Sequence, residues 1–365
     1  MLFKHQKYLI YYISLPLLFI QQACSVKTVK EKSTFTIVTY DDVKDWDPAT
    51  AFSLEVLPMS NMYEPLLWYD AEKNAGEFLP GLATSYSKSK DGLVWEFNLR
   101  KGVLFHDGSE FNAESVKYVV ERNKKLNGGA SYLWSAVDII KIDSPYKITF
   151  VLSSPVPFDK IVSSQYGAWI YSQSFSDIPK DSIRNGYGSG TGPYIFKKWV
   201  KNKYLLLEKF DEYWRGWEKD NYYNAIKIQV VTESSTRLQM IESGLADYAI
   251  LIPSQLLETL KDNPKITISY HSSWINEFYL LNTKKHPTNN IWFRKAIAHS
   301  LDKKTLVKYI YNDTAEEAKG LIPSSLPLFE APDSLIRFDL EKAKNYVKLS
   351  KIDPQDRDAD LSFVS

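Results

Sequence analysis

Cysteine is almost missing. Among 365 residues there is a single one, Cys24, so neither an intramolecular disulfide nor a cysteine-based metal cluster can form. Histidine is scarce too: the five, His5, His106, His271, His286 and His299, include no H-x-x-x-H pair and no second ligand at metal-binding spacing. The chain has no G-x-S-x-G, no G-x-G-x-x-G and no phosphate-binding P-loop. Charge of one sign is lacking as well: 45 basic residues face 44 acidic ones, for a net charge of +1. No basic stripe stands out, which argues against a nucleic-acid partner. These absences leave nothing that asks for catalysis, and no cofactor or metal is expected.

Long apolar runs are also wanting. Tyr8 to Ile20 is thirteen residues, broken only by Ser14 and Pro16, whereas a membrane-spanning helix needs about 20. With Lys4 and Lys7 ahead of it, the run reads as the n-region and h-region of a secretory signal. Gln21-Gln22-Ala23-Cys24-Ser25 then resembles a lipoprotein processing site, although Gln21 stands where an aliphatic residue is usual. The only cysteine of the chain sits here, so lipidation at Cys24 is expected; an ordinary signal peptide is the alternative. Residues 25–33, SVKTVKEKS, read as a polar tether.

Aromatic residues are plentiful: 10 Trp, 24 Tyr and 18 Phe. A large core accounts for most of them, and a minority is expected to line a cleft. At this length one core usually stops growing, so two lobes are expected. Strands are read at Thr34 to Tyr40, Leu93 to Leu99, Lys147 to Leu152, Tyr204 to Lys209 and Ile226 to Val230. In the second of these, Leu93, Trp95, Phe97 and Leu99 alternate onto one face, followed by a short strand before His106. Helical spacing is read across Asn61 to Tyr69 (Met62, Leu66, Leu67), from Asn112 as N-cap, and over Thr236 to Ser243 with Leu238, Ile241 and Leu245 on one face. Later helices are expected over Trp292 to Ser300, after Asp302 as N-cap, and over Leu340 to Leu349, and a strand begins at Leu361 to Val364. Strands and helices without strict alternation argue for α/β with mixed sheets.

The segment Leu79 to Val116 carries more information than the rest. Its pattern DG-L-x-W-x-F-x-LRKGV-x-FHDG-x-x-F-x-A-x-x-V closely resembles the signature of family 5 bacterial extracellular solute-binding proteins, the dipeptide, oligopeptide and nickel-binding components of ABC importers. Four further stretches follow in that family's order. They are Thr191-Gly192-Pro193-Tyr194, Phe210 to Trp214, Glu233 to Asp247, and Phe293 to Ile297 with Leu301 to Lys304. The resemblance implies a two-lobe, type II periplasmic-binding-protein-like α/β fold that encloses ligand in a cleft. Lobe I is then expected over residues 34–267 and part of lobe II over 268–365, with the crossing near Ile268 to Asn282. Members of the family are longer, so lobe II is expected to be incomplete and the chain to be a fragment unable to bind on its own.

Several chemical candidates reduce to scaffold. His106-Asp107 lies within the signature and is expected to be structural. Asp41, Asp42, Asp45 and Asp47 lack the Gly and terminal Glu of a calcium loop, so a solvated loop is expected. Gly186 to Gly192 leads into a strand rather than a helix, which fits a tight loop and no phosphate cradle. Ligand-facing candidates are Tyr40 and Asp41 at the end of the first strand, Tyr132 and Trp134 after Gly128-Gly129, Gln165 and Tyr166 after Pro155 and Pro157, and Trp274 and Asn276 at the lobe crossing. As a set, aromatic faces and amides suit extended polar ligands such as peptides. The reading is thus a monomeric extracytoplasmic binding protein that presents di- or oligopeptides to ABC permease subunits. Nickel chelates and oligosaccharides are alternative ligands, and a sensory or adhesion lipoprotein without transport is the alternative role.

Overall fold

The structure is a computed structural model that describes residues 34–70, 77–218, 222–270, 275–324, 326, 329–332 and 334–356. Cys24, the tether and the strand expected at Leu361 to Val364 lie outside the described residues.

The chain runs through β1 (Thr34–Thr39), α1 (Val56–Met62), β2 (Leu67–Asp70), β3 (Glu77–Pro80), β4 (Ala83–Lys88) and β5 (Val94–Leu99). It continues with α2 (Ala113–Leu126), β6 (Val137–Ser144), β7 (Lys147–Leu152), α3 (Phe158–Val162), α4 (Lys180–Arg184), β8 (Tyr194–Val200), β9 (Tyr204–Lys209) and β10 (Ala225–Val230). Then come α5 (Ser234–Glu242), β11 (Tyr248–Ala249), α6 (Ser254–Leu257), α7 (Ile291–Ser300), α8 (Lys303–Ile310) and α9 (Leu340–Ser350). Five strands form a mixed sheet in the order β11-β1-β10-β9-β8, with β1 parallel to both β10 and β11. A second sheet, β4-β5-β7-β6, is wholly antiparallel, and β2 pairs with β3.

Alternation decides the core of the antiparallel sheet. Trp95, Phe97 and Leu99 of β5 face inward at 4% exposure or less, and Phe97 meets Phe150 and Phe158 in a buried aromatic cluster. Asn112 caps α2 as its sequence position suggested: its Oδ1 accepts from the N–H of Glu114 and Ser115.

Glu64 ties the segment between α1 and β2 to the mixed sheet. Its buried carboxylate accepts from Thr191 Oγ1 at 2.9 Å, Trp214 Nε1 at 2.6 Å and Tyr213 Oη at 3.1 Å, and burial pushes its carboxyl up from the ordinary value. Those partners belong to the glycine-rich loop and to the Tyr213-Trp214 segment. That loop is tight and does lead into a strand: a Cβ on Gly190 would lie 2.0 Å from Met62 O.

Four readings of the sequence are corrected. The helical spacing across Asn61 to Tyr69 spans an element boundary, because α1 ends at Met62 and β2 begins at Leu67. The short strand before His106 is only a single bridge, Leu104 to Glu110. Leu245 lies beyond the end of α5 and is 68% exposed, so it does not extend that helix's apolar face. The aspartate cluster is not simply solvated. Asp42 is buried and accepts from Trp199 Nε1 and the N–H of Asn202, while Asp47 pairs with Arg122.

Candidate functional site

Parallel strands β11, β1 and β10 all end at the same edge of the mixed sheet, the edge at which α/β sheets commonly hold ligands. Tyr40 and Asp41 leave β1 there. Val231 to Glu233 leave β10, and Ile250 and Leu251 leave β11. Arg237, buried on α5, binds the last two exits together. Its Nη1 donates to Val231 O and Thr232 O, both at 2.7 Å, and its Nη2 donates to Leu251 O at 2.9 Å. An open cavity of about 340 Å³ lies at this edge, lined by Asp41, Asn202, Val231, Thr232, Glu233 and Thr236 among others. Lys44 Nζ, 2.8 Å from Asp41, holds that carboxyl below its ordinary range through a hydrogen bond.

From Asp41 the chain runs along a rim to three loops locked together from beneath. Asp47 receives both Arg122 nitrogens, Nη1 at 2.8 Å and Nη2 at 2.6 Å. The same Nη1 donates to Tyr171 Oη, which donates to Asn123 Oδ1 at 2.9 Å. Asn123 Nδ2 then donates to Gly167 O at 2.6 Å, and Trp134 Nε1 reaches that same carbonyl at 2.7 Å. Loops 45–55, 127–134 and 164–167 thus share one hydrogen-bonded floor. Their backbones touch as well: a Cβ on Gly129 would fall 2.4 Å from Thr50 O. Glu55, almost fully buried, fixes the turn into the first loop by accepting from the N–H of Lys44 at 2.9 Å and of Asp45 at 3.2 Å.

Above this floor the rim is aromatic and open. Phe52 is 56% exposed and its ring stands 5.2 Å from that of Tyr166, whose Oη donates to Ser53 O. Tyr132 is 62% exposed and Gln165 is also exposed. The structure therefore gathers Tyr132, Gln165 and Tyr166 onto one group of interlocked loops and sets Tyr40 and Asp41 at the strand edge that feeds it. Trp134 is corrected: it is 1% exposed and serves as a strut under the rim rather than a ligand-facing ring. Trp274 lies outside the described residues, and Asn276 is half-buried, its Nδ2 donating to Gly320 O at 3.0 Å. Sequence reasoning missed Phe52, which follows an ordinary Ala51 and carries no motif. It also missed Arg237 and Arg122, whose roles depend on strands far away in sequence. Among the described residues no group of three His, Cys, Asp or Glu side chains is placed to hold a metal, and no helix is long and apolar enough to cross a membrane.

Solved structures share this architecture. The ABC transporter-associated periplasmic binding protein DppA from Helicobacter pylori, in complex with the peptide STSA, matches with a TM-score of 0.76 at 26% identity, covering 88% of this chain and 67% of that one. NikZ from Campylobacter jejuni, in complex with Ni(L-His), matches with a TM-score of 0.77 at 22% identity over 88% of this chain and 63% of its own. The fold is that of the type II periplasmic binding proteins. Residues 77–363 match the family described as bacterial extracellular solute-binding proteins, family 5, and the chain belongs to that family. The glutathione-binding protein of Pectobacterium atrosepticum is 28% identical over 298 residues, 80% of this chain and 55% of that protein. The di/tripeptide-binding protein 2 of Pseudomonas aeruginosa is 24% identical over 374 residues, 93% of this chain and 67% of that protein. The chain spans about half the length of the first of these relatives.

Proposed function

We propose that the protein is the extracytoplasmic ligand-binding component of an ABC importer and that its ligands are di- or oligopeptides. The observation that carries the reading is the aromatic and amide rim, Phe52, Tyr132, Gln165 and Tyr166, set on a rigid floor beside the carboxyl edge of β1 and β10. Aromatic faces take up side chains of varied shape, and amides and carbonyls satisfy a peptide backbone. The names of the glutathione-binding and di/tripeptide-binding relatives fit this ligand class. Residues 34–267 form one lobe in this reading and residues 268–365 contribute to a second, with closure about the crossing as the working motion. Cys24 carries a lipid that keeps the protein at the outer face of a membrane.

Trp fluorescence titration with a mixed di- to tetrapeptide library tests the ligand class. Saturable binding that weakens on Phe52→Ala and Tyr166→Ala supports it. Binding of nickel–histidine or of an oligosaccharide with no response to peptides overturns it. Mass spectrometry of the mature N-terminus tests the anchor, because an unmodified terminus other than Cys24 rules it out.

A further inference from the structure

The outer face of the β8–β9–β10 sheet concentrates positive charge on a chain that is almost neutral overall. Lys198 and Lys227 both lie opposite Leu206 in the strand register, so they flank one residue on the same face two strands apart, about 10 Å. Both ammonium groups sit over the ring of the intervening Tyr204, at 6.0 Å and 5.4 Å from its centroid. The β8–β9 turn adds the exposed Lys201 and Lys203. None of these four has an ion-pair partner among the described residues; Lys197 beside them is paired with Glu208 at 3.0 Å. Of the acids on the neighbouring elements, Asp41 is held by Lys44, Glu233 lines the cavity, and Asp247 accepts from the N–H of Thr36.

Like charges gathered on one side of the sheet repel, and an extended anionic surface relieves them together. Tyr204 and Leu206 remain half-buried between the lysines, giving the face the mixed tyrosine, leucine and lysine chemistry of a lipid interface. The sequence leading to β1 points the same way: residues 25–33 hold Lys27, Lys30 and Lys32 against a single Glu31. Nine residues reach at most about 30 Å when extended, and Thr36 of β1 lies beside Lys227 in the same sheet. We propose that this lysine face is a docking surface for an anionic phospholipid membrane, on which the binding protein rests with its tether. This rests on the extracytoplasmic, membrane-proximal reading above.

The test uses the full chain carrying Cys24→Ala, so that no lipid contributes, sedimented with vesicles of phosphatidylglycerol and phosphatidylcholine or of phosphatidylcholine alone. The expected result is partitioning onto anionic vesicles on the order of a hundredfold stronger than onto neutral ones at about 0.05 M salt, and lost at about 0.5 M. The quadruple variant K198E/K201E/K203E/K227E should abolish it. A matched quadruple variant, K88E/K90E/K125E/K348E, should retain most of it, and circular dichroism checks that both fold. Equal binding to neutral vesicles overturns the proposal, as does equal loss in both variants, or binding that survives the face variant and disappears with K27E/K30E/K32E. Failure to find a lipid on Cys24 leaves this readout untouched, so the anchor and the docking face are judged separately.

Discussion

His106 makes two bonds that demand one proton state. Its Nε2 faces Gly192 O at 2.9 Å, an acceptor only, so this nitrogen carries the hydrogen; Nδ1 accepts from the N–H of Gly190 at 3.4 Å. Burial pushes the imidazole down to about 4. The folded state thus binds the proton less readily than the unfolded chain, where the value is about 6.5. Stability from this residue is complete above pH 6.5 and declines as pH falls toward 4, by up to about 3 kcal/mol. Urea unfolding at stepped pH should show that decline, and His106→Gln should remove it while lowering stability at neutral pH. A flat profile in the wild type between pH 6.5 and 4 would refute it. Glycine gives a second residue-scale contrast in the same region. Gly190→Ala drives a Cβ into Met62 O and should prevent folding, whereas Gly102→Ala meets nothing within 4 Å and strains only a φ of +72°, at a cost of about 1 kcal/mol. Comparable soluble yield and melting temperature for the two would sink this argument.

Elements with a strong local signal were legible in the sequence. The alternation of β5 and the caps at Asn112 and Asp302 all rest on neighbours within a few residues. What escaped was long-range. Asp42 reads as one acid in a polar loop until Trp199 and Asn202, about 160 residues later, turn out to enclose it. The floor under the rim is of this kind, since Asp47, Arg122 and the pair Gly167 and Tyr171 come from three separate segments. Of the candidate residues, Tyr132, Gln165 and Tyr166 were recognisable by their aromatic or amide character in loops, and Trp134 shared that character while packing inward. The floor makes a prediction at this scale. Arg122→Met leaves Asp47 unpaired at 17% side-chain exposure and should cost about 3 kcal/mol. Hydrogen exchange should then rise together in 45–55, 127–134 and 164–167, and peptide affinity should fall although Arg122 lies beneath the rim. Acceleration confined to residues 45–55 would mean that the three loops are not held as one unit.

Burial is uneven across the whole molecule, and stability should follow it. Buried apolar residues crowd the region from Ile37 to Leu260, including Trp95, Trp134, Trp169, Phe97 and Phe150. Beyond residue 268 the buried apolar residues among those described are Phe293, Ala296, Ala343 and Ile352, where α7 packs on α9 with Trp292 stacked on Tyr346 at 5.7 Å. Over the same stretch Ile275, Leu280 and Leu321 are 75%, 85% and 80% exposed, and no strand follows Ala249 among the described residues. An apolar surface of that extent binds other apolar matter readily, and backbone without ladder or helix opens at little cost. The 365-residue chain should therefore unfold in two steps. The β-rich region keeps slow amides to the main transition, and residues 275–290, 311–324 and 334–338 exchange fast under native conditions. The α7–α9 pair should lie between these extremes, since its stacked rings and helix contact give it some cooperative protection. Exchange mass spectrometry with a denaturant series checks this, alongside binding of an apolar dye to the exposed stretch. One sharp transition, with amides of 275–338 as slow as those of β5 and β7, would show that the molecule is a single cooperative unit in spite of its uneven core.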